Sequence, residues 1–273
     1  MAATFVVVPQ WQGSGSSRAM RLVDGAEAIR GDLPSAGTVT VPVPLEAGEA
    51  QGTAVSRFSS IQLVRDRQAM ALSTLDSPAI TIGGDCGVEL ASVAHVADQG
   101  DVALVWFDAH ADLNTPQSSS SGVFNGMVLR TLLGEGTPGL VPARPLAPSS
   151  VVLVGARELD PPEDDYLAAT TIALLEVETV TAKKLVAAVR KTGAKRVYLH
   201  IDLDVLDPSE FEGLDSPVPF GLSASTLVEL IRAVRVEFEL AGAGITEFAP
   251  SSPANATTDL PTILRIIGAL TAK

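Results

Sequence analysis

Two short acidic stretches carry the residues best suited to chemistry. The first, WFDAHADLN at 106–114, sets a carboxylate, an imidazole and a second carboxylate at alternate positions: Asp108, His110 and Asp112. In an extended segment alternate side chains share a face, so the three are predicted to converge. The second, HIDLDVLDP at 200–208, ends an apolar run with Asp202 and Asp204, again two apart and predicted to share a face. Acids inside an apolar run are costly to bury unless paired, hydrogen-bonded or bound to a cation. Five such groups from two strand ends make a binuclear metal site the expectation. Oxygen and nitrogen donors suit Mg²⁺, Mn²⁺ or Zn²⁺ better than a thiolate-preferring metal.

The elements that must position these groups alternate in type. Residues 101–107 and 196–201 read as strands buried on both faces. Further strand-like runs lie at 1–9, 38–43, 78–82, 151–155 and 243–248, and helical patterns at 18–32, 61–75, 87–97, 126–134, 183–192, 223–239 and 257–270. Gly83-Gly84 after a strand implies close backbone approach or positive φ. The acidic cluster Glu158, Asp160, Glu163, Asp164 and Asp165 reads mostly as a solvated loop. Strands alternating with helices predict an α/β fold: a three-layer αβα sandwich on a mainly parallel sheet, residues 1–273 as one domain. Ligands in such folds sit beyond the carboxyl ends of the strands, where the acidic motifs fall.

Bulk properties agree with a globular protein. The 273 residues are 46% apolar, with mean hydropathy +0.29, and no run approaches the ~18 apolar residues of a membrane span. The start lacks a signal-peptide pattern and a single cysteine excludes an internal disulfide framework, so a cytoplasmic location is expected. A net charge of −13 argues against nucleic acid and is compatible with a cationic small molecule.

Gly83-Gly84-Asp85, DAHAD at 108–112, the serine-rich loop through Ser121 to Gly126, HIDLDVLDP at 200–208 and TEFAP at 246–250 run in this order from about residue 80 onward. Together they resemble the ureohydrolase family: arginases, agmatinases and formiminoglutamases, dimanganese enzymes that hydrolyse guanidino compounds. The resemblance implies an arginase-like fold and two Mn²⁺ ions bridged by Asp108 and Asp202. His110 and Asp204 would complete one ion, Asp112 and residue 86 the other. It also implies a nucleophilic hydroxide between the metals and Glu247 paired with the guanidinium. Asn114 and Ser121 would hold a substrate α-carboxylate, and Asp160 the α-amino group. Relatives assemble as homo-oligomers, and the same is expected here.

The chain departs from the family at two positions. Cys86 stands where relatives have a histidine ligand; it either ligates or leaves the position vacant, and in both cases one ion is held weakly. Asn125 stands where arginases have a proton-shuttling histidine, and asparagine cannot act as a general acid near neutral pH. Asp108 is then expected to carry the nucleophile's proton to the leaving amine. Within the family these departures point to Nω-hydroxy-L-arginine, hydrolysed to L-ornithine and hydroxyurea. Arginase or agmatinase activity and an impaired, non-enzymatic paralogue are the alternatives; Asn114, Ser121 and Asp160 favour an α-amino acid over agmatine. Of the remaining histidines, His95 is expected on a helix surface, and His200 as packed structure turned away from the acids.

Overall fold

Runs rich in Val, Ile, Leu and Ala form strands because such side chains pack well on a pleated, covered surface. In the computed structural model, which describes residues 3–272, eight of them join one sheet: β1 (Thr4–Val8), β2 (Thr38–Thr40), β3 (Ala79–Gly83), β4 (Ala103–Phe107), β5 (Val151–Val154), β6 (Ala173–Leu175), β7 (Arg196–Asp202) and β8 (Glu239–Thr246). Their order is β2-β1-β3-β8-β7-β4-β5-β6. Every strand pairing within the sheet is parallel, so the sheet is wholly rather than mainly so.

Eight α-helices among the described residues cover the sheet: α1 (Met20–Gly31), α2 (Phe58–Leu72), α3 (Glu89–Asp98), α4 (Val128–Leu132), α5 (Pro161–Ala169), α6 (Ala182–Lys191), α7 (Ala224–Glu237) and α8 (Pro253–Thr271). On one face α1 packs on α8, α8 on α7 and α7 on α6; on the other, α2 packs on α3 and α3 on α4. Strand β4 shows why its sequence is apolar without alternation. Ala103, Val105 and Phe107 enter one core, while Leu104 and Trp106 enter the other. No helix among the described residues is long and apolar enough to cross a membrane.

One stretch differs from its sequence reading. The acidic segment after residue 157 is not a solvated loop throughout: α5 begins at Pro161, and the edge strand β6 follows it. The missed signal was local. Asp160 at the N-cap, Pro161 at the first helical position and Glu163 three residues after the cap are helix-start residues. The Glu163 carboxylate accepts the Asp160 backbone N–H at 2.9 Å.

The strand order fixes where a ligand can sit. The chain leaves β3, passes over the positions later filled by β7 and β8, and lays down β4 beyond them. This reversal opens a crevice at the carboxyl ends of β3, β4, β7 and β8. Gly84 stitches its edge: its N–H donates to the Val8 carbonyl, its carbonyl accepts from Glu247 N–H, and Asp85 N–H reaches the Gln10 carbonyl. Close approach, not positive φ, explains this glycine, since a Cβ on Gly84 would lie 1.7 Å from the Gln10 carbonyl oxygen. Gly84→Ala should therefore cost about 1–3 kcal/mol, the usual range for overpacking, measured by urea denaturation. Parental stability in the variant would show that the β1 end can move aside.

Candidate metal centre

The DAHAD stretch does not converge by strand alternation. Strand β4 stops at Phe107, and the chain then bends, with Asp112 at φ 53°. Asp108 sits at the turn: its Oδ1 accepts His110 N–H at 2.7 Å and its Oδ2 accepts Trp106 Nε1–H at 2.9 Å. A 3₁₀ turn, Leu203–Val205, likewise replaces extended chain after β7. There Asp204 N–H donates to Asp202 Oδ1 at 2.8 Å, and Asp204 Oδ1 accepts Ala109 N–H at 2.9 Å. His110 Nδ1 lies 2.9 Å from Asp204 Oδ2, which joins the two turns. Arg157 braces the second turn from outside, donating to the backbone carbonyls of Asp204 and Val218 and leaving the carboxylates free.

From β3, the Cys86 thiol donates to Asp202 Oδ2 at 3.0 Å, and its backbone N–H donates to Glu247 Oε1 at 3.1 Å. Glu247 follows β8 at φ 64°. Two non-glycine residues with positive φ in one site are strained backbone, held by the bonds around them: Glu247 N–H to the Gly84 carbonyl and Arg130 N–H to the Asp112 carbonyl.

Two donor groups result: Asp108, His110 and Asp204 form one, and Cys86, Asp108, His200 and Asp202 the other. Within each, the potential ligand atoms lie within 4.8 Å of one another, and Asp108 belongs to both, as a binuclear centre requires. Asp112 stands outside both groups but lines the same pocket. Whether these residues fit cations follows from their electrostatics. Asp108, Asp112, Asp202, Asp204 and Glu247 are all buried, and Asp112 Oδ2 and Glu247 Oε2 have no hydrogen-bond partner. Burial, and then the neighbouring carboxylates, push Asp108, Asp112, Asp202 and Glu247 above the ordinary range. Asp204 goes down: burial opposes its charge, but His110 and the Ala109 N–H outweigh it. Burial likewise opposes the charge on His110, yet hydrogen bonding to Asp108 and Asp204 and their field raise its pKa. Burial and the charge of Asp202 push the Cys86 thiol well up. A crowd of buried oxygen donors with unused lone pairs and two imidazoles fits hard divalent cations.

The pocket above them has a volume of about 250 Å³. Asn114, Asn125 and Asp160 line it. The Asn114 side-chain amide donates to Asp160 Oδ2 at 2.9 Å, and Asn125 Oδ1 accepts Gly126 N–H. Of the expected site residues, Asp108 and Ser121 lie outside the lining; Asp108 is buried beneath it, whereas Ser121 is exposed and its hydroxyl takes Val123 N–H. Glu163, missed from sequence, accepts Leu113 N–H at 2.8 Å and so anchors the loop after Asp112 to α5.

His200 corrects the sequence reading. It is buried and faces the site, with Nε2 3.8 Å from Cys86 Sγ and its ring stacked on Trp106. Residues two apart in a strand share a face, so His200 follows Asp202 inward, and the spacing contained that signal. His95 is half-buried on α3 and meets Gln99.

A sequence model described as the Arginase family matches residues 24–266. The chain is 29% identical over 228 residues to an arginase of Entamoeba histolytica, covering 78% of this chain and 76% of that one. It is 32% identical over 154 residues to an arginase of Bacillus subtilis, covering 53% of this chain and 52%, about half, of that relative. In structure it is similar to the E. histolytica arginase solved with L-ornithine, with TM-score 0.88, 24% identity, and 99% and 98% of the two chains covered.

The raised carboxylates make a stability prediction with a definite sign. A group whose folded pKa is raised contributes stability that is present below its unfolded pKa and lost as pH rises through the folded value. Asp108, Asp112, Asp202 and Glu247 all act in this direction. The metal-free protein should therefore lose Tm as pH rises above the ordinary carboxylate range, from about 5 to 8, and Mn²⁺ should raise Tm by more at the upper end. Melts with chelator and with Mn²⁺ read both effects; a Tm indifferent to pH and metal would contradict the cluster's electrostatics.

Proposed function

The chain belongs to the arginase family, hydrolases of the C–N bonds of linear amidines, and from that premise we propose that its substrate is Nω-hydroxy-L-arginine, split to L-ornithine and hydroxyurea. Cys86, Asn125 and the chain length make it similar to the Nω-hydroxy-L-arginine amidinohydrolase of D-cycloserine biosynthesis. Antibiotic biosynthesis, a cytoplasmic location and a homo-oligomeric assembly belong to the same reading.

The observation that carries a guanidino substrate is Glu247. It is buried, one oxygen is held by Cys86 N–H, and the other has no partner in a pocket shared with the metal-type donors. A planar cation meets that need, because guanidinium N–H groups pair with carboxylates along two parallel bonds. Two Mn²⁺ ions would be held by Asp108, His110 and Asp204 on one side and by Asp108, Asp202, Asp112 and the Cys86 position on the other. When bound they supply a Lewis-acid pair that lowers the pKa of water. Glu247 orients the guanidino carbon toward them. Asp108 takes the proton of the attacking water and returns it to the leaving δ-nitrogen, since Asn125 can only hydrogen-bond. Asn114 and Asp160 face the amino-acid end of the substrate, as α-carboxylate and α-amino partners. Ser121 would join Asn114 by closure of its loop. An N-hydroxyl lowers guanidine basicity, and a small residue at 86 together with Asn125 leaves room for it.

The experiment is a substrate panel of arginine, agmatine and Nω-hydroxy-L-arginine with Mn²⁺, following urea or hydroxyurea against ornithine. In it, Glu247→Gln should lower kcat/KM by about 10²–10³-fold, the scale of losing one preorganised charge-stabilising group. A change under threefold would place the guanidine elsewhere. Cys86→His should tighten Mn²⁺ and move the ratio of kcat/KM values toward unmodified arginine. An unchanged affinity and ratio would make Cys86 a packing residue.

A further inference from the structure

We infer that His200 is the imidazole donor of the metal position beside Cys86, held in place by Glu89, so that β7 supplies the nitrogen ligand missing at residue 86. The inference rests on the metal reading above and specifies its donor set.

The geometry comes first. His200 Nε2 lies 3.8 Å from Cys86 Sγ and 3.9 Å from Asp108 Oδ2, and Cys86 Sγ lies 3.0 Å from Asp202 Oδ2. Donors at about 2.0–2.3 Å from one ion stand about 3–4 Å from each other, and the three separations fall in that range. The ring cannot turn away easily, because it stacks on Trp106 with centroids 3.5 Å apart.

The second observation lies behind the ring. His200 Nδ1 is 3.4 Å from Glu89 Oε1, within ion-pair distance, and neither atom makes a hydrogen bond. Glu89 Oε2 accepts the Tyr198 hydroxyl at 2.5 Å. A carboxylate beside one ring nitrogen favours the tautomer that carries its proton there and offers the other nitrogen's lone pair, the usual support of a ligating histidine. Both residues are fully buried, and burying an acid here is costly unless it serves such a purpose. Space for it comes from β8: a Cβ on Gly244 would lie 1.6 Å from Glu89 Oε1. The sheet therefore lacks a side chain where the carboxylate enters. Tyr198, Glu89 and His200 form a buried line ending at the Cys86 donor group, and neither Tyr198 nor Glu89 belongs to the acidic motifs.

The test is Mn²⁺ titration of the full metal-free chain by calorimetry, with electron spin-echo detection of nitrogen coupled to bound Mn²⁺. The parent should bind two ions, with imidazole nitrogen coupled at both. His200→Asn should leave one ion unaffected, raise the Kd of the other at least tenfold and remove its nitrogen signal. Glu89→Gln should raise the same Kd by about 10–100-fold. Adding Cys86→His to His200→Asn should restore affinity by returning an imidazole from the other side. Unchanged metal affinities in both His200→Asn and Glu89→Gln, with only Tm lowered, would overturn the inference and leave His200 as packing. Should His200→Asn fail to fold, a nitrogen signal at only one ion of the parent overturns it equally. A parent that binds no Mn²⁺ would instead overturn the metal reading itself.

Discussion

The structure depends on keeping five buried carboxylates together at one end of a sheet. Asp108, Asp112, Asp202, Asp204 and Glu247 are taken out of water and set against each other, and His110 is the imidazole paired with Asp204. Burial alone makes ionised acids unfavourable and mutual repulsion adds to the cost. Such an arrangement persists only on a scaffold stable enough to impose it, and it stores a strong preference for cations. Stability and function are thus opposed here until positive charge arrives.

The scaffold imposes it through strand order. Four neighbouring strands, β3, β8, β7 and β4, end at one edge, and each contributes a group at or just past its last residue. Their apolar bodies are covered on both faces, so the polar ends cannot retreat into the layers. What remains adjustable is the first few residues after each strand. That is where the positive φ values of Asp112 and Glu247, the 3₁₀ turn at Asp204 and the close approach of Gly84 to Gln10 all occur. Strain is confined to the points that aim the side chains, as expected where a rigid frame over-determines a site.

Supporting contacts from outside the motifs matter as much as the motifs. Arg157 braces the Asp204 turn through backbone carbonyls, Glu163 ties α5 to the loop after Asp112, and Trp106 holds both Asp108 and His200. Arg157 and Glu163 work through backbone groups and leave the site carboxylates uncommitted, while Trp106 uses a single Asp108 oxygen. This division of labour lets a cluster of acids stay ordered while its oxygen atoms remain available.

The sequence by itself determined the layers and the list of acids. Uninterrupted apolar runs such as 103–107 demand burial on both faces, which only a covered parallel sheet provides, and acids at the ends of such runs need a cationic partner. The Asp160-Pro161-Glu163 helix start and the inward face of His200 were also written locally, in cap spacing and in strand period, although the acidic composition and the neighbouring ligand motif obscured them. Only the tertiary structure decided how the donors group. Convergence of Asp108 with His110 and Asp204 comes from two turns meeting across β4 and β7, not from alternation along one strand. The meeting of Cys86, His200 and Glu89 depends on strand order and on the gap left by Gly244, 155 positions after Glu89 in the numbering. Contacts between residues far apart in the chain are set by which strands become neighbours, and no local pattern of residues encodes that choice.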